Sequence, residues 1–214
     1  MALADAEVEA PPAGGASHFG DDAWERLELF AQSLVSEGDI RGLIGPRELE
    51  RLWSRHILNC TAVVSYLPEK GYIADIGSGA GFPGIVAAIL RPHAKVSLIE
   101  TMERRSDWLN ELVVKLDLPH VQVINERAET LIGKQTFDSV TARAVAPLKK
   151  LVPWTLPLLK SGGELLALKG ARAEQEVEAA RTVLKKYKAA STFIDDVKVW
   201  GTDEPTRIVR VSVR

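Results

Sequence analysis

The chain holds a single cysteine, Cys60, which excludes an internal disulfide framework. Its four histidines, His18, His56, His93 and His120, are scattered without the paired spacing of a zinc site, so no structural metal is expected. No stretch approaches the roughly 18 apolar residues that a bilayer-spanning helix needs. The opening MALADAEVEAPP lacks the basic and apolar regions of a secretory signal. These absences predict a reduced, cytoplasmic protein, free of membrane and metal. With 214 residues, 46% apolar and 26% charged, the composition is that of a globular chain with one large domain.

An excess of one charge sign is also lacking. The net charge is −2, which taken alone disfavours a nucleic-acid partner. The distribution is uneven, however. Residues 1–30 set seven acids (Asp5, Glu7, Glu9, Asp21, Asp22, Glu25, Glu28) against Arg26, a balance of −6 that leaves +4 on the rest. Between Arg143 and Lys188, ten Lys and Arg face four Glu. Such asymmetry permits a basic face on a neutral body, although a solvated amphipathic helix explains Lys185 and Lys186 equally well.

Residues 1–21 mix Ala, Gly, Pro and acids without apolar periodicity, which predicts a disordered acidic tail. Asp22 is placed to cap a helix in which Leu27, Phe30, Ala31 and Leu34 recur at helical spacing before Gly38 ends it. A second helix starts at Pro46 and buries Leu49, Trp53 and Ile57, so residues 22–70 read as an N-terminal helical extension. From 71 to 214 short apolar runs alternate with amphipathic stretches. Strands are predicted at 72–76, 95–100, 121–125, 137–142, 164–169, 193–200 and 207–213, with helices at 84–90, 102–116 and 148–159. Apolar strands with helical crossovers make a parallel sheet covered on both faces. Only GTDEPT separates the last two strands, which suits an antiparallel hairpin.

The most informative stretch is YIADIGSGAGFPG, residues 72–84. An apolar strand carrying Asp75 runs into a loop with Gly77, Gly79 and Gly81, then into a helix. Glycine lets the backbone approach a ligand closely, and the loop lies at the carboxyl edge of the sheet, where open α/β folds bind ligands. A dinucleotide fingerprint would place its third glycine at Phe82, and Asp75 would oppose a pyrophosphate. S-adenosylmethionine, with a sulfonium and an ammonium, welcomes the acid. Glu100 ends the second strand, where a carboxylate can accept both ribose hydroxyls. The loop therefore favours S-adenosylmethionine over a nicotinamide dinucleotide.

GSGAGFPG, the preceding His56-Ile57, Arg127-Ala128-Glu129, Thr141-Ala142-Arg143-Ala144 and Leu168-Lys169-Gly170 together resemble the bacterial RsmG (GidB) methyltransferases over roughly residues 22–213. The resemblance implies a class I methyltransferase: a Rossmann-like, seven-stranded, mostly parallel sheet ending in an antiparallel hairpin. It also implies methylation of N7 of a guanine in the decoding region of 16S ribosomal RNA, on the RNA, the small subunit or a precursor. Position by position, Gly77 and Phe82 resemble cofactor-loop contacts. Glu100, Thr101 and Met102 resemble the ribose and adenosine edge, Ala128 and Glu129 an adenine-side pair, and Arg143 the family's residue at the end of the fourth strand. Family members often carry Asp at Glu100 and Phe at Trp108.

Guanine N7 already has a free lone pair, so methyl transfer to it needs no general base. The absence of an Asp-Pro-Pro-Tyr amine-methylation motif agrees. Catalysis is then positioning. An arginine on N7 would compete for the lone pair, so Arg127, Arg143 and Lys169 are assigned to phosphate or O6 contacts, or to cofactor support. Arg143 could instead pair with Asp75 or Glu100. His56, Trp53, Trp108 and Trp154 read as core residues and Cys60 as inert. A non-catalytic RNA-binding or assembly factor and a small-molecule methyltransferase are the alternatives. The intact loop with Glu100 disfavours the first, and the basic 143–188 segment disfavours the second.

Overall fold

Strands too apolar to leave either face wet form the centre of a seven-stranded sheet in the computed structural model, which describes residues 7–214. They are β1 (Gly71–Ile76), β2 (Ala94–Ile99), β3 (Val121–Ile124), β4 (Phe137–Arg143), β5 (Leu159–Lys169), β6 (Ala189–Val197) and β7 (Thr206–Val213). The helices are α1 (Gly15–Phe19), α2 (Asp21–Glu37), α3 (Asn59–Thr61), α4 (Gly84–Leu90), α5 (Glu103–Lys115), α6 (Leu148–Thr155) and α7 (Ala173–Lys186). The sheet order is β3-β2-β1-β4-β5-β7-β6, with the first five strands parallel and β7 antiparallel to both β5 and β6. The order reverses between β1 and β4, so the loops leaving these strands part and open a crevice at their carboxyl ends.

Two apolar clusters cover the sheet. One joins α4 and α5 to the N-terminal helices, with Trp24, Leu27, Phe30 and Leu34 packed together with Ile73, Phe82, Ile85 and Leu98. The other sets α6 and α7 on the opposite face, through Leu148, Leu151, Ala180 and Leu184. Because the first cluster runs across residue 70, the helical extension and the sheet share one core. The change of pattern at 70–71 is therefore not a break in packing.

Four expectations need correction. The proposed Asp22 cap is not made: Gly20 precedes α2 without a side-chain cap, and Asp21 and Asp22 lie in its first turn, where the helix dipole favours acids. The helix expected from Pro46 is three pieces: a 3-10 turn at Pro46–Arg51, a π-helical turn at Leu52–Leu58, and α3. Edge strand β6 starts earlier than expected, because its half-exposed residues carry no clean alternation. By contrast, the amphipathic helix considered for Lys185 and Lys186 needs no correction: it is α7, the crossover between β5 and β6.

The fourth correction concerns the tail. Residues 1–6 lie outside the described residues, but residues 7–21 pack on the body. The Glu9 carboxylate accepts hydrogen bonds from the backbone N–H of Trp53 (2.7 Å) and Ser54 (2.9 Å), and its own N–H donates to Leu49 O at 2.9 Å. His18 stacks on Trp200 with centroids 4.7 Å apart, and Gly15 lies so close to Trp24 that a Cβ would sit 2.3 Å from its ring. Single contacts of this kind leave no periodicity in a sequence. Glu9→Ala should strip the acceptor from two N–H groups at the head of the π turn, costing about 1–3 kcal/mol. Urea denaturation measures this, and an unchanged midpoint would show the segment to be loosely held.

Candidate functional site

The residues singled out in the sequence come together at the carboxyl ends of β3, β2, β1 and β4. The loop after β1 places Gly77, Gly79 and Gly81 at φ +68°, +57° and +113°. A Cβ at Gly77 would meet Val145 at 2.8 Å, and one at Gly81 would meet Ile85 at 2.8 Å. Those two glycines are demanded by packing. Gly79 differs, since a Cβ there would find only Gly77 O at 3.8 Å and Arg105 Nη1 at 3.9 Å. Its left-handed backbone thus presents a bare, open face. At Gly84 a Cβ would lie 2.3 Å from Leu98, so the close helix-to-strand approach falls two residues after the Phe82 position of a dinucleotide fingerprint.

Three side chains suspend this loop. Asp75, fully buried, accepts from Gly84 N–H at 3.0 Å and from the Thr141 hydroxyl at 2.9 Å. Burial pushes its carboxyl up to about 6, against the pull of those hydrogen bonds. Asp75 is therefore a brace beneath the loop, and the expectation of direct cofactor contact is corrected: its oxygens face inward. Glu100, 4% exposed, accepts from Gly79 N–H and from Met102 N–H, both at 2.9 Å. Trp108 Nε1 donates to Ala80 O at 3.1 Å. Asn125, at the end of β3, bonds Glu100 O at 2.9 Å and Ser106 Oγ at 3.0 Å, tying β2, β3 and α5 together.

Around this frame, Phe82 is buried, and Thr101 and Met102 are exposed where β2 turns into α5. After β3, Arg127 and Glu129 are exposed and flank buried Ala128 at the start of a 3-10 turn, Ala128–Leu131. Arg143, at the end of β4, makes neither of the ion pairs considered for it. Its Nη1 donates to Arg55 O at 3.2 Å, His56 O at 3.4 Å and Cys60 Sγ at 3.5 Å, and its Nη2 donates to His56 Nδ1. The guanidinium lies 4.8 Å over the Phe82 ring. Burial pushes the Cys60 thiol up to about 11 despite Arg143, which keeps it protonated and inert.

Lys169 is corrected as a phosphate contact. Only 10% of its side chain is exposed, and its Nζ donates to Ala146 O at 2.7 Å and pairs with Glu176 at 2.8 Å. Glu176 in turn accepts from Leu148 N–H at 2.8 Å. Burial raises the Glu176 carboxyl, but the bonds from Lys169 and Leu148 outweigh it and hold the group below its ordinary value. Lys169 thus pins the β4–α6 loop to α7. Lys169→Met should cost roughly 1–3 kcal/mol of stability, from a half-buried acid left without its partner, and leave the salt dependence of RNA binding unchanged. Thermal melts alongside a salt series of RNA binding test both halves.

The basic segment divides between two edges. Exposed Lys149, Lys150 and Arg172 open α6 and approach α7 at the carboxyl edge, together with Arg104 and Arg127; Arg181, Lys185, Lys186 and Lys188 lie toward the other end of α7. Sequence reasoning missed Arg105 and Asn125, and took Thr141 only as part of the Thr141–Ala144 string without its bond to Asp75. Asn125 ends a predicted strand beside Glu100 and was open to detection there; the others show themselves only in three dimensions.

The residues present fit S-adenosylmethionine. Gly79 leaves space above the loop, and Glu100 Oε2 keeps a free lone pair for a hydroxyl donor, while Oε1 shares its second only with the Thr101 hydroxyl at 3.5 Å. Arg105 Nε, beside that space, is buried without a hydrogen-bond partner among the described residues. Among the same residues no group of three or more His, Cys, Asp or Glu is placed to hold a metal, and no helix is long and apolar enough to cross a membrane.

Comparison with known proteins places these features in context. A family model described as GidB, rRNA small subunit methyltransferase G, matches residues 23–201. The chain is 50% identical over 193 residues to a ribosomal RNA small subunit methyltransferase G from Beutenbergia cavernae, covering 90% of this chain and 91% of that one. It is 47% identical over 210 residues to the protein of the same name from Leifsonia xyli subsp. xyli, covering 97% and 98%. Among solved structures, a precorrin-6y C5,15-methyltransferase from Geobacter metallireducens superposes with a TM-score of 0.54 at 17% identity, covering 80% of this chain and 91% of the other. An S-adenosylmethionine-dependent O-methyltransferase from Thermotoga maritima gives 0.55 at 16%, covering 78% and 70%. These two share the fold.

Proposed function

The chain belongs to the GidB, or rRNA small subunit methyltransferase G, family, and on that premise we propose that it transfers the methyl group of S-adenosylmethionine to N7 of a guanine in the decoding region of 16S ribosomal RNA. The observation that carries this reading is the open face of Gly79 with the Glu100 carboxylate beside it, at the point where the sheet order reverses. Bound there, S-adenosylmethionine supplies the methyl group as an electrophile on a sulfonium.

The protein's part is placement. Gly77, Gly79 and Gly81 shape the cradle, with Asp75 bracing it from below. Glu100 accepts the ribose hydroxyls, and Thr101 and Met102 border the adenosine with Ala128 and Glu129. Phe82 and Arg143 form the wall toward the N-terminal helices. No side chain has to take a proton from N7, whose lone pair attacks directly, and in-line placement at near-attack distance is worth up to about 7–11 kcal/mol. Exposed Arg104, Arg127, Lys149, Lys150 and Arg172 at the same edge suit RNA phosphates and disfavour a small-molecule substrate. Residues 71–214 carry the cofactor and residues 22–70 wall the crevice, and the substrate puts the enzyme in the bacterial cytoplasm.

Mapping methylated nucleotides in 16S ribosomal RNA from cells with and without the protein tests the reading. Loss of one N7-methylguanine in the decoding region is the expected result. An unchanged map with the protein still bound to ribosomal particles would favour an assembly factor, and calorimetry showing nicotinamide dinucleotide binding without S-adenosylmethionine binding would end it.

A further inference from the structure

His56 sits where the N-terminal helices meet the end of β4, with 12% of its side chain exposed. Its Nε2 lies 2.8 Å from Glu48 Oε2, its Nδ1 meets Arg143 Nη2, and its ring is 5.4 Å from that of Phe82. Arginine can only donate, so Nδ1 must be the bare, accepting nitrogen and Nε2 the one that carries the proton to Glu48. Both carbonyls that hold the other guanidinium nitrogen, Arg55 O and His56 O, belong to the same π-helical turn. That turn therefore grips Arg143 from three sides and lays it over the glycine-loop phenylalanine.

We propose that His56 is a positioning residue: its Nδ1 lone pair fixes the Arg143 guanidinium over Phe82, and Glu48 keeps that lone pair free by accepting the Nε2 proton. The proposal rests on the reading above, in which Arg143 borders the cofactor. It makes the N-terminal helices part of the machinery, because the residue at the end of β4 is held by the extension and by no acid of the sheet. Burial and the Arg143 charge lower the basicity of His56 below its ordinary value of 6.5, and the bond that it donates to Glu48 only partly offsets them. The charged groups facing the ring are Glu48 from the 3-10 turn, Arg55 from its own turn and Arg143 from β4; the hydrogen bond with His56 leads the causes that lower the Glu48 carboxyl. A ring protonated on both nitrogens cannot accept from Arg143, so the hold is present at neutral pH and lost as pH falls through the lowered His56 value.

Two measurements on the full chain test this. In nitrogen-15 NMR near neutral pH, His56 should show a bare Nδ1 and a protonated Nε2. The Arg143 Nη protons should be protected from exchange, less so in His56→Leu, and still protected in His56→Asn, whose amide oxygen reaches the place of Nδ1. In calorimetric titration with S-adenosylmethionine, His56→Leu should bind roughly tenfold weaker, His56→Asn should stay within about threefold, and His56→Leu combined with Arg143→Met should be no weaker than Arg143→Met alone. Binding should weaken in acid more steeply in the wild type than in His56→Asn, while the Asp75 step at about 6 is common to both. Wild-type affinity in a folded His56→Leu, or losses that multiply in the double variant, would overturn the proposal. If His56→Leu does not fold, an acid profile of His56→Asn identical to the wild type overturns it instead. A wild type that fails to bind S-adenosylmethionine sinks the parent reading, and the NMR signals still decide whether His56 holds Arg143.

Discussion

Gly79→Val is expected to abolish S-adenosylmethionine binding while the sheet stays folded. The nearest protein atoms to a Cβ at this position are 3.8 and 3.9 Å away, so nothing in the fold itself resists a side chain there. The backbone does resist: φ is +57°, and a branched residue in the left-handed region costs about 1–2 kcal/mol. The larger effect is on the cofactor, because both methyl groups would stand on the bare face the loop offers it. A loss of at least two orders of magnitude, about 3 kcal/mol, is expected in calorimetric titration. Gly81→Val supplies the contrast. Its Cβ would meet Ile85 at 2.8 Å and Phe30 at 3.2 Å, so that variant should lose melting temperature first. If Gly79→Val keeps its affinity within a few-fold, the cofactor does not lie on this face of the loop.

The contrast between those glycines shows how far a sequence can be read. The GSGAGFPG string marks a ligand loop because alternating glycines after an apolar strand have few other uses, but it does not distinguish the glycine with an open face from the two packed against Val145 and Ile85. The parallel strands were legible because continuous Ile, Val, Leu and Ala runs signal burial on both faces. Edge strand β6 was only partly legible, since Phe193 is 56% exposed and its neighbours follow no simple alternation. Long-range pairs were not legible at all. Lys169 and Arg143 read as phosphate, O6 or cofactor contacts because their partners, Glu176 on α7 and the 55–60 segment, are placed by packing that no local pattern records. The same holds for Glu9, whose role depends on two N–H groups more than forty residues away.

Glu100→Ala is expected to weaken both the cofactor complex and the free protein, and the two losses can be separated. In the free protein each carboxylate oxygen takes one backbone N–H, from Gly79 and from Met102. Met102 is exposed, so its N–H can turn to water, whereas Gly79 is half-buried and loses more. Stability should fall by about 1–3 kcal/mol, the cost of a buried donor left without its charged acceptor. The lone pair left over on Oε2, and the one on Oε1 that the Thr101 hydroxyl holds only at 3.5 Å, are those available to the ribose hydroxyls, and losing them should weaken cofactor binding by a further 1–3 kcal/mol or so. Glu100→Gln sharpens the assignment. Its amide nitrogen would point a donor at one of the two N–H groups, so it should destabilise the loop nearly as much as alanine although its shape is conserved. Denaturation midpoints isolate the first loss, and calorimetric titration at a temperature where every variant is folded isolates the second. Full affinity in Glu100→Ala, with only the midpoint lowered, would show that the carboxylate braces the glycine loop and does not reach the ribose.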